Sequence, residues 1–186
     1  MTPASAPGSD CGCSTGQSDS PIPCPLCARP GRTVNPATPK NTLMKSVREQ
    51  VDADRHYHFC TNPDCEVVYY NDRDASVFKT DQLKNRVTIK DDSPETPLCY
   101  CFKVLKKHAL EEIARTGTTD IFRQIQSKMR PGQRCFCEKS NPRGDTCTQD
   151  IKDWLASQGM PTHELSTTGQ SGGSCAAGGK SGGKCC

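Results

Sequence analysis

The sequence predicts an α+β protein in which a small β domain is followed by a helical domain, with disordered stretches at both ends. Three observations carry this. Short β-branched and aromatic runs fall before residue 92, and apolar residues at helical spacing fall after it. Two cysteine pairs lie on turn-forming residues within the β-prone half. Both ends are rich in Ser, Gly and Thr and poor in apolar residues, a composition that cannot bury enough surface to order itself. The expected boundaries are a tail over 1–22, a β domain over 23–92, a helical domain over 93–160 and a tail over 161–186.

Within the β half the clearest strand is Cys65 to Tyr70, followed by the turn-prone Asn71-Asp72. His56 to Phe59 leads into Cys60 as a second. Ser76 to Lys79 and Arg86 to Ile89 are short β-prone runs that would add strands. Asp91-Asp92-Ser93-Pro94 and Pro97 read as the boundary. In the helical half Leu105, Ala109, Leu110 and Ile113 fit one helix face, and Gly117 supplies a stop. Thr119 or Asp120 can cap a second helix burying Ile121, Phe122, Ile125 and Met129, ending before Pro131-Gly132. A third starts at Thr148 and buries Ile151, Trp154 and Leu155 before Gly159. These stripes read as core.

Composition narrows the function. Of 186 residues 33% are hydrophobic and 5% aromatic, too few for one large core. There is no apolar run long enough to span a membrane, so no membrane insertion is expected. No secretory signal is visible, which points to the cytoplasm. The 14 cysteines then read as metal ligands, because thiols in a reducing compartment seldom form structural disulfides. Metal binding also supplies folding free energy that a weak core lacks. Setting aside Asp10, Asp19, Glu164, Lys180 and Lys184, the ordered part carries 22 basic and 18 acidic residues. That balance, with no basic stripe beyond Lys103, Lys106 and Lys107, argues against nucleic acid. None of the four His sits in an acid–base or nucleophile arrangement, and no enzyme is expected.

Cys24-Pro25-Leu26-Cys27 is a C-x2-C pair, and Cys60 to Cys65 is a C-x4-C pair beginning 33 residues after Cys27. Two such knuckles can close a shell of four thiolates, the ligand set of a structural zinc in a zinc-ribbon-like domain. A mononuclear iron would use the same four sulfurs, and His56 and His58 are near enough in sequence to compete.

Cys99-Tyr100-Cys101 precedes the first expected helix, and Cys135-Phe136-Cys137 follows the second, with Cys147 at the start of the third. Helices antiparallel about Gly117 would bring Cys99 and Cys101 to the turn-rich 135–147 segment. Helix N-termini there would favour thiolates and a negatively charged cluster. Four such thiolates suit a [2Fe–2S] cluster. Spacing alone leaves a second zinc open.

The ordered series Cys24-x2-Cys27, Phe59-Cys60 to Asp64-Cys65 with Val67-Val68-Tyr69-Tyr70, Cys99-Tyr100-Cys101-Phe102, and Cys137-Glu138 with Asn141-Pro142-x-Gly144 and Cys147 resembles the N-terminal iron–sulfur and zinc domain of the copper chaperone CopZ family. The helical half also resembles the helix-turn-helix domain of bacterioferritin-associated ferredoxin. The resemblance covers about residues 23–155. It implies zinc on Cys24, Cys27, Cys60 and Cys65, and a [2Fe–2S] cluster on Cys99, Cys101, Cys137 and Cys147. Cys137 is favoured over Cys135 because it opens the Cys-Glu-x-x-Asn-Pro-x-Gly motif. The M-x-C-x-x-C copper-carrying domain that ends the full-length chaperone has no counterpart in this sequence.

Cys11-Gly12-Cys13 and Cys185-Cys186 are thiol pairs able to hold Cu(I) in two-coordinate geometry and release it by ligand exchange. The sequence thus points to an iron–sulfur and zinc protein of copper homeostasis, with a one-electron centre, Cu(I) on the tail cysteines, and a copper-transporting ATPase, another metal carrier or a redox protein as partner. A ferredoxin-like electron carrier without copper, and a zinc-ribbon interaction module, are the alternatives.

Overall fold

The computed structural model describes residues 22–74 and 76–160. The expected tails, with Cys11, Cys13, Cys185 and Cys186, lie outside the described residues. Thirteen short elements are strung along the described residues. In the first half, β1 (Gly31–Val34), β2 (Tyr57–Cys60), β3 (Val67–Asn71) and β4 (Val77–Lys79) form an antiparallel sheet in sequence order. Helices α1 (Ala37–Thr42) and α2 (Lys45–Arg48) fill the β1–β2 connection, and a 3-10 turn (Thr80–Gln82) follows β4. In the second half a ribbon of β5 (Pro97–Cys99) and β6 (Val104–Leu105) leads into α3 (Lys106–Thr116), α4 (Ile121–Ser127), α5 (Cys137–Ser140) and α6 (Thr148–Ser157).

Alternation sorts the two faces of the sheet. Tyr57 and Phe59 of β2 point into an apolar cluster with Val34, Leu43, Val68, Tyr69 and Phe78. Cys60, on the opposite face, joins Cys24, Cys65, Val67 and Tyr70 in a separate cluster beneath the cysteine knuckles. Cys60 pairs with Gly31 across β1–β2, and Gly31 tolerates no side chain. A Cβ there would stand 2.0 Å from the Tyr70 hydroxyl, which donates to the Ile22 carbonyl at 2.5 Å. The second half has its own core of Leu98, Val104, Ala109, Ile121, Ile125, Ile151, Trp154 and Leu155.

The expected helices form where local signals were strongest. Gly117 ends α3 in the left-handed conformation, φ 76°. Asp120 caps α4 by accepting from the Arg123 amide at 3.3 Å. Leu105 stands before α3 rather than in it, and its amide donates to His108 Nδ1 at 3.0 Å, which explains that histidine as a cap partner. The Arg86 to Ile89 run is not a strand. The Tyr100 hydroxyl accepts from the Thr88 amide at 2.9 Å, and Thr88 Oγ1 donates to the Pro97 carbonyl at 2.7 Å, so these groups are spent on the second half instead of a ladder. Lys106 is no part of a basic stripe. It is buried, with Nζ donating to the carbonyls of Thr88 (3.2 Å) and Asp91 (2.8 Å) and lying 5.7 Å from the Trp154 ring centre.

A second seam between the halves lies at α1, β3 and the 138–144 segment. The buried Tyr69 hydroxyl, 2.8 Å from Thr42 Oγ1, donates to the Pro142 carbonyl at 2.7 Å, and Thr38 Oγ1 donates to the Glu138 carbonyl at 2.7 Å. Gly144 closes the seam with φ +71°; a Cβ there would approach Thr38 Oγ1 to 3.1 Å.

Two substitutions test this packing in zinc-loaded protein by denaturant unfolding. Gly31→Ala should destabilise by about 2 kcal/mol through overpacking against Tyr70. Tyr69→Phe should cost about 1–2 kcal/mol, because the Pro142 carbonyl is left without its donor. A midpoint unchanged in Tyr69→Phe would remove the seam from the account.

Candidate metal centres

The first centre is built by two turns and the sheet between them. The Cys24–Cys27 knuckle is closed by hydrogen bonds from the Ala28 amide to the Cys24 carbonyl and from the Cys24 amide to the Arg29 carbonyl, both 2.8 Å. Cys60 ends β2, and a turn from Asn62 brings Cys65 back two residues before β3. The β1–β2 register then places the knuckles side by side.

All four sulfurs of Cys24, Cys27, Cys60 and Cys65 lie within 4.8 Å of one another. Cys24 Sγ is 4.0 Å from Cys65 Sγ, and Cys27 Sγ is 3.6 Å from Cys60 Sγ. Four sulfurs at about 2.3 Å from a tetrahedral zinc stand about 3.8 Å apart, so the spacing fits that ion. The amides of Arg29, Asn62 and Val67 donate to the sulfurs of Cys27, Cys60 and Cys65, each two residues on. Lys90 Nζ donates to the carbonyls of Asn62 (2.5 Å) and Cys65 (3.0 Å) and lies 5.8 Å from the Phe59 ring centre. It ties the second knuckle from below and sets a positive charge beside four sulfurs.

The thiols do not ionise alike. Burial opposes ionisation of Cys27, but the Arg29 amide, the Asn62 side chain and the Cys60 and Cys24 thiols bring it down to about 6. Burial pushes Cys60 up to about 12 and also raises Cys65. One thiolate is thus stabilised by its neighbours, and further ionisation in so small a space calls for a cation. Neither histidine belongs to this group. His56 is exposed, and His58 stacks on Tyr70 with ring centres 5.4 Å apart and Nδ1 3.5 Å from Thr33 Oγ1.

The second centre gathers all five cysteines of the helical half. Cys99 ends β5 and Cys101 lies in the turn to β6, so the ribbon presents both. Cys137 opens α5, and Cys147 is the N-cap residue of α6. Asn141, buried, shapes the segment between them. Its side chain donates to the Asp145 carbonyl at 2.7 Å and accepts from the Arg143 amide at 3.1 Å. Thiol contacts run in a ring, Cys99 to Cys101, Cys101 to Cys137 at 3.5 Å, Cys137 to Cys147, and Cys147 to Cys99. Cys99, Cys137 and Cys147 are buried and Cys101 is half-buried. The amides of Phe102 and Phe136 donate to the sulfurs of Cys99 and Cys101.

Here the Cys101 thiol takes the negative charge. Hydrogen bonds from Cys137 and Cys99 outweigh burial and, with Ser140 and the Phe136 amide, bring it down to about 2. The same contact with Cys101 pushes Cys137 up to about 12 and Cys99 up to about 11, while Cys137 and Cys99 raise Cys147. Cys135 is exposed and stands outside the ring, but its sulfur lies within 4.8 Å of those of Cys101 and Cys137. The sequence showed neither Lys90 nor Tyr69 as a support of these centres. Their roles depend on backbone carbonyls, which leave no motif.

Lys90→Gln, probed with a chromophoric chelator, should release zinc about tenfold faster than the parent, because the second knuckle loses its tie and its nearby charge. Equal release rates would show that the knuckle holds itself.

Comparison with known proteins agrees with the first centre. Residues 22–84 match a CopZ-type family described as "Zinc binding domain". Over 124 residues the chain is 31% identical to the copper chaperone CopZ of Archaeoglobus fulgidus, covering 67% of this chain and 57% of that protein's length. The X-ray structure of the Archaeoglobus fulgidus CopZ N-terminal domain is similar with a TM-score of 0.58 and 29% identity, over 75% of this chain and 99% of that one. A chaperone is not a catalyst, and the non-enzymatic reading of the sequence agrees with these relatives. No helix among the described residues is long and apolar enough to cross a membrane. Residues 22–84, which carry the four clustered cysteines of the first centre, are thus similar to a CopZ-type zinc-binding domain.

Proposed function

We propose that this chain is a two-centre metalloprotein of copper homeostasis. Its domains are 23–92, holding zinc on Cys24, Cys27, Cys60 and Cys65, and 93–160, holding a [2Fe–2S] cluster on Cys99, Cys101, Cys137 and Cys147. The observation that carries this reading is the second closed set of thiols, built separately from the first in a chain that resembles a copper chaperone. The ring of four sulfurs matches the donor chemistry of a two-iron cluster. Bound there, such a cluster would supply one-electron storage.

The chain's own residues set the properties of that position. Cys99 and Cys147 exclude water from the inner side. Cys101, half-buried, brings one sulfur to the surface, where a partner can approach. The Phe102 and Phe136 amides and Ser140 Oγ, 3.1 Å from Cys101 Sγ, stabilise negative charge on sulfur. Zinc is structural in this scheme. Cu(I) is carried on the tail thiols and passed to a copper-transporting ATPase or another carrier. A redox partner exchanges electrons at the exposed edge.

Protein purified without oxygen should contain two irons, two sulfides and one zinc per chain. Cys147→Ser should lose the iron and keep the zinc, and Cys65→Ser should lose the zinc. Anaerobic elemental analysis with the visible spectrum decides it. A chain that takes up zinc at both centres when iron and sulfide are supplied would overturn the redox part of the proposal.

A further inference from the structure

Cys135 has no place in the ring of four thiols, yet it is not a stray surface cysteine. Its sulfur, with those of Cys101 and Cys137, forms a group whose members all lie within 4.8 Å of one another, and Cys101 and Cys137 are 3.5 Å apart. The group is graded from outside to inside, with Cys135 exposed, Cys101 half-buried and Cys137 buried. An open recess of about 640 Å³ leads to Cys101 and is lined by Phe102, Lys128, Arg130, Gln133 and Phe136. An ion arriving through the recess therefore reaches Cys101 before the sealed pair, Cys99 and Cys147, and the exposed Cys135 sulfur lies within 4.8 Å of that of Cys101.

We propose that Cys101, Cys135 and Cys137 form a three-thiolate site for one soft monovalent cation of the Cu(I) class, filled when the two-iron cluster is absent. The proposal rests on the copper role above for the choice of ion; the site itself stands on the thiol geometry. Three soft sulfur donors suit a low-coordinate monovalent ion. A structural zinc wants four ligands, and Ser140 Oγ, 3.1 Å from Cys101 Sγ, is a poor donor for a soft ion. Binding takes up the existing Cys101 thiolate and deprotonates Cys135 and Cys137, releasing two protons, with no change in oxidation state. The resulting excess negative charge adjoins a recess whose lining includes Lys128 and Arg130. Two of the three ligands also belong to the cluster ring, so the two fillings exclude each other and copper competes with iron–sulfur assembly.

The test uses the full chain with Cys11, Cys13, Cys175, Cys185 and Cys186 changed to serine, zinc-loaded, free of iron and kept anaerobic. Cu(I) is titrated against a chromophoric Cu(I) chelator, and sulfur coordination is read by X-ray absorption. The parent should bind one Cu(I) with three sulfur neighbours. Cys135→Ser, exposed and so harmless to folding, should weaken binding by about tenfold or more and leave two sulfur neighbours. Cys147→Ser should stay within about threefold of the parent, since that sulfur is outside the triad. Equal affinity in Cys135→Ser, or an equal loss in Cys147→Ser, would overturn the triad. Iron and sulfide reconstitution separates this idea from the preceding one. Retention of two irons in Cys135→Ser supports the triad. Loss of iron only in that variant puts Cys135 in the cluster and overturns it. A parent that takes up no iron while the Cu(I) results hold defeats the cluster assignment and supports the triad.

Discussion

The hydroxyl of Tyr69 ties the two cysteine-bearing halves together at a buried contact. It is buried between the halves and donates to the carbonyl of Pro142, 73 residues away. Tyr69 stands in β3, which starts two residues after Cys65, and Pro142 lies between Cys137 and Cys147. One hydrogen bond thus links the strand leaving the first cysteine cluster to the turn that spaces the second. An unmade partner in such a dry place costs more than the bond contributes, so this contact specifies the packing more strongly than its modest net energy suggests.

Thiols take over part of the work of a hydrophobic core. In the first half Cys24, Cys60 and Cys65 pack as small apolar groups against Val67 and Tyr70, and in the second Cys99 and Cys147 pack with Leu98, Ile151 and Trp154. Backbone amides and neighbouring thiols favour ionisation of one thiol in each set, Cys27 and Cys101. The same closeness that fills space therefore creates affinity for cations. In a chain with 5% aromatic residues, part of the core is thus supplied by the candidate metal ligands themselves.

What could be read from the sequence was whatever is local. The Cys24–Cys27 and Cys60–Cys65 spacings, the Gly117 stop and the Asp120 cap each act within a few residues. β1 escaped notice because Gly31-Arg32-Thr33-Val34 has little strand character alone and is held by pairing with β2. α1 and α2 are too short to show a period. Val87, Thr88 and Ile89 favour a strand intrinsically, and tertiary hydrogen bonds to Tyr100 and Pro97 override that preference. The grouping of cysteines in the helical half was legible as a set; which sulfur touches which depends on the ribbon and the Asn141 turn.

The segment between the halves is fastened from both sides, around residues 88–91. Lys90 grips the carbonyls of Asn62 and Cys65, and Lys106 grips those of Thr88 and Asp91. A connector nailed down by two ammonium groups does not act as a hinge. A visitor at the exposed edge of Cys101 therefore meets a surface already in its final shape, and little motional freedom remains for the host to surrender on encounter.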